Sequence, residues 1–158
     1  MATEEATLDL KKTLFDKLSP DAQERSTRTI LWSIENIDAA RAWVESISSD
    51  KVRRAAWYRL GQKATAPFDM PPGPDRDAML HGRITGFGAR IPEESFKLNV
   101  QISDPVVRRD AFDAAMEHFN HPAVHQGDEA RAWMEKADLP DEWKRRWRVP
   151  TPSPSSKP

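Results

Sequence analysis

The chain of 158 residues contains no cysteine. That absence excludes a disulfide framework, a thiolate metal site and a cysteine nucleophile. It assigns no redox compartment, because a chain without thiols is stable in either setting. No apolar run approaches the roughly 18 residues that a bilayer crossing requires, so no membrane span is expected. The opening "MATEEATLDLKK" is acidic and has no apolar core, so it does not read as a signal peptide, and a cytoplasmic location is the default expectation. Excess charge is missing too. A formal net charge of −1 advertises no polyanionic partner, and any nucleic-acid surface has to be a local patch. Strand signals are also scarce. The most β-like run, "FKLNVQI", falls where a repeated pattern calls for helix, and it is read as helix.

What is present is helix-forming sequence with bulky core material. Hydrophobic residues make up 38% and charged residues 31%, the balance of a folded chain rather than a disordered one. The length suits one domain with a real core. Residues 1–18 read as an N-terminal amphipathic helix, with Leu8, Leu10, Leu14, Phe15 and Leu18 mostly on one face. Ser19 and Pro20 open a second helix reaching about Glu35. A third spans roughly Asp38 to Ile47, and Ser49 or Asp50 opens a fourth that ends near Gln62. In "ATAPFDMPPGP", Ala64 to Pro74, four of eleven residues are proline, so no helix passes through it. A further helix starts at Asp75, with Leu80, Ile84 and Phe87 on one stripe and Gly86 and Gly88 ending it. Pro92 opens the next, "SDP" at Ser103 to Pro105 the one after, then "DEARAWMEKA" and "LPDEWKRRW". The tail 150–158, "PTPSPSSKP", has no apolar anchor and reads as disordered.

One sentence is written three times: "DAARAWVESISSDKVRRAAW" from Asp38, "EESFKLNVQISDPVVRRDAF" from Glu93 and "DEARAWMEKADLPDEWKRRW" from Asp128. Aligning Ala40, Ser95 and Ala130 brings Trp43, Leu98 and Trp133 into register. It also aligns Arg54, Arg109 and Lys144, and then Trp57, Phe112 and Trp147. A small residue lets two helices approach, and a bulky one a turn away fills the space beside the crossing. The Ser/Asp/Pro break caps the second helix. Its recurring cation can reach a carboxylate or a helix-terminal carbonyl. The unit is an αα-hairpin that must stack on a neighbour to bury its apolar face. The second-helix pattern recurs alone at Arg76 in "GPDRDAML" and, more faintly, at Arg25 in "QERSTRTILW". The proline-rich segment 64–74 therefore stands in for one first-type helix.

These residues resemble the Trp-containing helical repeats found in tandem in many bacterial proteins, a "DPxxAxxW" helix followed by an "RxxA" helix. More loosely they are similar to tetratricopeptide-type solenoids, although the unit spacing differs and the Gly-Tyr pair is missing. The likeness covers about Pro20 to Trp147. It implies a scaffold for protein contacts and no chemistry.

Three further features bear on function. "WKRRWR" is the most basic stretch. Trp143, Lys144, Arg145, Arg146 and Arg148 could stack on bases and hold phosphates, or form a packed terminal helix with a solvated face. His118, His121 and His125 lie within eight residues and could hold a divalent metal, but their spacing matches no zinc signature and Pro122 breaks the helix. In "HGRITGFGAR" the glycines follow a helix instead of opening one, the reverse of a phosphate-cradling loop. The expectation is an all-α, short, degenerate stack of helical hairpins, eight or nine helices over residues 19–149 and the N-terminal helix. It is a non-enzymatic module for another protein or for self-association, with no cofactor implied. The alternatives are a nucleic-acid-associated protein using residues 143–148 and a small metal-dependent protein using the three histidines.

Overall fold

The computed structural model describes residues 4–86 and 91–148. Phe87, Gly88 and the tail 150–158 therefore lie outside the described residues. Nine α-helices occur among those described: α1 (Glu4–Asp16), α2 (Pro20–Trp32), α3 (Ile37–Glu45), α4 (Asp50–Lys63), α5 (Pro74–Thr85), α6 (Pro92–Asn99), α7 (Pro105–Asn120), α8 (Gly127–Lys136) and α9 (Asp141–Arg145). None is long and apolar enough to cross a membrane.

Local chemistry sets most of the starts. Pro20, Pro74, Pro92 and Pro105 each open a helix, where the missing N–H costs nothing. The Asn36 carboxamide accepts from the N–H groups of Asp38 and Ala39, and the Asp104 carboxylate accepts from those of Val106 and Val107. The "FKLNVQI" run is helical through Asn99 and then turns. One boundary differs from expectation. α2 stops at Trp32 rather than Glu35, because the Ser33 hydroxyl bonds to the Ile30 carbonyl at 2.7 Å and the Lys63 ammonium takes the carbonyls of Leu31 and Ile34. Burial pulls the Lys63 pKa down against the opposing pull of Glu35.

The helices form an all-α stack whose inner row runs α2, α4, α5, α7. These four carry Arg25, Arg54, Arg76 and Arg109, the helices whose patterns echo one another in the sequence. α3 lies on α4, α6 on α5 and α7, α8 on α6 and α7, and α1 only on α2 among its larger contacts. The outer position between α3 and α6 holds no helix. There the strap 64–73 crosses the surface, with Phe68 edge-on to Trp57 at 5.9 Å and the Arg41 guanidinium 5.5 Å over the Phe68 ring.

At the aligned positions, Ala40, Ser95 and Ala130 are all buried, as are Trp43, Leu98, Trp57, Phe112 and Trp147. Trp133 departs from the expected burial. It is half-buried under the Lys136 ammonium at 5.2 Å, and Met134 beside it takes the interior position. The cause is its place at the end of the stack, where α8 has neighbours on one side. The closest helix crossing was also expected elsewhere. It lies between α4 and α5, where a Cβ on Gly61 would overlap the Met79 carbonyl and one on Gly82 the Tyr58 carbonyl. α1 departs from its expected packing too. Phe15 is buried, edge-on to Trp43 at 5.2 Å, but Leu10 is 59% and Leu14 54% exposed.

Candidate functional site

The recurring cations were expected to bridge helices, and Lys144 does. It is buried, and its ammonium donates to the Ala137 carbonyl at 2.9 Å, closing the end of α8. Arg54 and Arg109 do not. Both are exposed, and Arg54 bonds only the Asp50 carbonyl of its own helix at 3.2 Å. In those copies the bridge comes from the preceding arginine. Arg53 donates to the Ile47 carbonyl at 3.1 Å and to Asp75 at 2.7 Å, while Arg108 donates to the Asp138 carbonyl. One residue is about 100° of helix rotation, so in each "RR" pair one arginine faces the joint and its neighbour faces solvent.

The C-terminal basic stretch is largely committed within the chain. Arg148 bonds Glu135 at 2.7 Å and Asp141 at 2.9 Å, which raises its pKa and lowers that of Glu135. Arg146 lies 3.5 Å from Glu117 and 4.6 Å over the Trp147 ring. Trp147 is buried, and its indole N–H donates to Asp113 at 3.0 Å. Trp143 is half-buried against Phe112. Lys144 is engaged by backbone carbonyls, so of the five proposed contact residues only Arg145 has no side-chain hydrogen bond, ion pair or ring contact among the described residues.

The three histidines are not brought together as a donor set. His118 lies on α7, edge-on to Phe119. His121 follows the end of that helix, and its Nδ1 accepts from the Ala123 N–H at 3.3 Å. His125 sits in the left-handed region with φ 56°. Among the described residues no group of three His, Asp or Glu side chains is placed to hold a metal ion.

A different site takes shape at the vacant outer position. Where α4 ends, the buried Arg83 guanidinium donates to the Ala64 carbonyl and to Glu94 at 2.8 Å, which fixes the root of the strap. Arg53 ties the end of α3 to Asp75 at the start of α5. Phe68 packs the strap down on Trp57, and from Met70 onward the strap borders a cleft of about 550 Å³ with α3 and α4. Met70, Pro71 and Pro72 supply its apolar surface over the buried Trp57, and Arg41, Arg53, Arg54 and Arg76 its guanidinium groups. Arg41 is paired with Glu45 at 2.8 Å, and Arg53 with Asp50 and Asp75. Arg54 and Arg76 have no ion pair among the described residues.

No family model, curated protein or solved structure matches the chain. The cleft therefore has to be interpreted from its own chemistry.

Beyond Arg54 and Pro74 the surface continues into a second hollow of about 330 Å³, lined also by Tyr58, His81, Asp104 and Val107. The Tyr58 and His81 rings meet edge-on at 5.1 Å, and Thr85 bonds the Tyr58 hydroxyl at 3.0 Å. The Asp77 carboxylate is buried and occupied, accepting from the N–H groups of Ser103 and Asp104 at 2.9 Å each. Burial holds the His81 imidazole below its ordinary value of 6.5, against the smaller opposing pull of Asp110. The folded chain thus binds the His81 proton less readily than the unfolded chain. Stability contributed by neutral His81 is present above about pH 6.5 and is lost as pH falls below it. A thermal-melt series from pH 7.5 down to 5.5 should show a falling midpoint, flattened in His81→Gln. An unchanged slope in that variant would assign the pH dependence to other groups.

The strap was legible beforehand and the cleft beneath it was not. The proline run excludes a helix between Ala64 and Pro74 and so marks the place where one outer helix is replaced. That Arg54 would face it with a free guanidinium depended on helix rotation, which the alignment of "RR" pairs left open by one residue.

Proposed function

We propose that the chain is a non-enzymatic protein-interaction module, a degenerate stack of helical hairpins of the Trp-containing repeat type, which presents the cleft beneath the 64–73 strap to a partner protein. One observation carries the reading: an outer helix position is occupied by a proline-rich strap that packs Phe68 on the core and leaves a lined hollow beside it. Stacked hairpins build binding surfaces of this kind. A proline-rich wall is stiff before binding, which reduces the ordering cost on association. The residues around the hollow are chiefly arginine, proline and acid, with no nucleophile–base pair among them.

The test is capture from the native host's lysate, with and without nuclease, by the wild-type chain and by Pro72→Trp, which places a bulky ring at the exposed lip of the cleft. The expected result is a discrete protein that survives nuclease, is retained by wild type and is lost with Pro72→Trp. Retention that disappears with nuclease would transfer the function to the nucleic-acid reading. Retention equal in both chains would move the partner surface away from the cleft.

A further inference from the structure

We infer that the cleft receives an extended acidic segment of a partner protein, with its carboxylates on Arg54 and Arg76; the inference rests on the interaction-module reading and names the partner's chemistry. Four guanidinium groups line the hollow, and two of them already have carboxylates. Arg54 and Arg76 have only neutral acceptors. One bonds the Asp50 carbonyl, and the other bonds the Gln101 side-chain oxygen at 2.9 Å. Each guanidinium carries five N–H donors in a planar fork, so one such bond leaves most of the fork free. That fork matches a carboxylate bidentately.

Three observations select an extended peptide over a small anion or a nucleic acid. First, the hollow of about 550 Å³ is open and walled by Met70, Pro71 and Pro72, which is more apolar surface than a lone anion would use. Second, it shares Arg54 and Pro74 with the neighbouring hollow of about 330 Å³, so the two adjoin at Arg54 as an elongated track, with Arg76 on the first alone. An extended chain advances about 3.3 Å per residue and can follow such a track with alternate side chains on the wall. Third, Glu45, Asp50 and Asp75 also line the cleft. They take up Arg41 and Arg53, which leaves free cations at two fixed points, whereas a polyphosphate backbone carries charge at every step and needs a continuous basic lane. A peptide can place its carboxylates at Arg54 and Arg76 and neutral residues elsewhere. Beyond Arg54 the track meets Tyr58, Val107 and a His81 that burial keeps neutral, so the segment should be acidic at one end and apolar or hydroxyl-bearing at the other.

The experiment is selection of short linear peptides from a random display library on the intact chain, followed by affinity measurements. The expected result is enrichment of peptides bearing Asp or Glu. Their affinity should fall more than about tenfold in Arg54→Glu/Arg76→Glu, and to a lesser degree in Arg54→Gln/Arg76→Gln. Binding to wild type should weaken as salt rises. Both arginines lie toward the surface with one side-chain hydrogen bond each, so both variants should keep the wild-type circular dichroism and melting transition. Peptides that lack acids, ignore the charge reversal and are blocked by Pro72→Trp would overturn the acidic assignment and leave the interaction reading standing. Failure to enrich any peptide that Pro72→Trp blocks would overturn the cleft as a peptide site altogether.

Discussion

Trp43→Ala is expected to lower the free energy of unfolding by about 3–5 kcal/mol, the range for removing a fully enclosed aromatic ring. Trp43 is 2% exposed, on the inner face of α3. Its ring receives Phe15 edge-on at 5.2 Å, and Phe15 is the buried aromatic of α1. The substitution therefore opens a void under two helices, and α1, with few contacts beyond α2, should fray first. Urea unfolding should show a lower midpoint with an unchanged slope, which distinguishes lost stability from a changed denatured state. Trp133→Ala provides the comparison. The same residue type at the aligned position is half-buried, so its loss should cost about 1–2 kcal/mol, in the ordinary range for single substitutions. Equal costs at the two positions would show that the end of the stack is covered in solution. The effect also reaches the cleft, because Arg41 and Glu45 on α3 form one of its walls.

The helical stack was legible because its punctuation is chemical. Four prolines at first-turn positions and the Asp104 cap mark starts that no tertiary contact needs to create. The buried Ala40, Ser95 and Ala130 were legible because a small residue a turn from a bulky one has few uses except a crossing. Three features were not legible, each for a physical reason. Trp133 has the same local sequence as Trp43, and only its position in the stack leaves it half-buried. The bridging role of Arg53 and Arg108, and so the freedom of Arg54, depends on a single step of helix rotation that pattern matching does not resolve. The exposed Leu10 and Leu14 follow an amphipathic period correctly, but periodicity shows that a face exists and not that anything packs against it.

Gly82→Ala is expected to destabilise the fold by about 3 kcal/mol, the upper part of the range for overpacking. In an exposed helix the same change would stabilise by about 1 kcal/mol, because glycine is the poorer helix former. The sign reverses because the new methyl group would occupy the space of the Tyr58 carbonyl oxygen. A carbonyl held in α4 cannot rotate away, so the two helices must separate. That separation would weaken the α4–α5 packing at the centre of the inner row, where Gly61 approaches the Met79 carbonyl about as closely and Gly86, just past α5, meets the Gln62 backbone at 2.5 Å. Gly127→Ala is the control. Its Cβ would meet the Asn120 carboxamide oxygen at 2.8 Å and Arg131 at 3.3 Å, both ends of side chains that can move, so a change within about 0.5 kcal/mol is expected. Denaturant midpoints of the two variants decide the matter, and a Gly82→Ala midpoint at or above wild type would remove the close crossing from the fold. The consequence for function follows from position. Arg54 and Trp57 reach the cleft from α4, and Asp75 and Arg76 from α5. Forcing these helices apart changes the spacing of the two free guanidinium groups, so Gly82→Ala should weaken acidic-peptide binding while leaving every residue of the cleft in place.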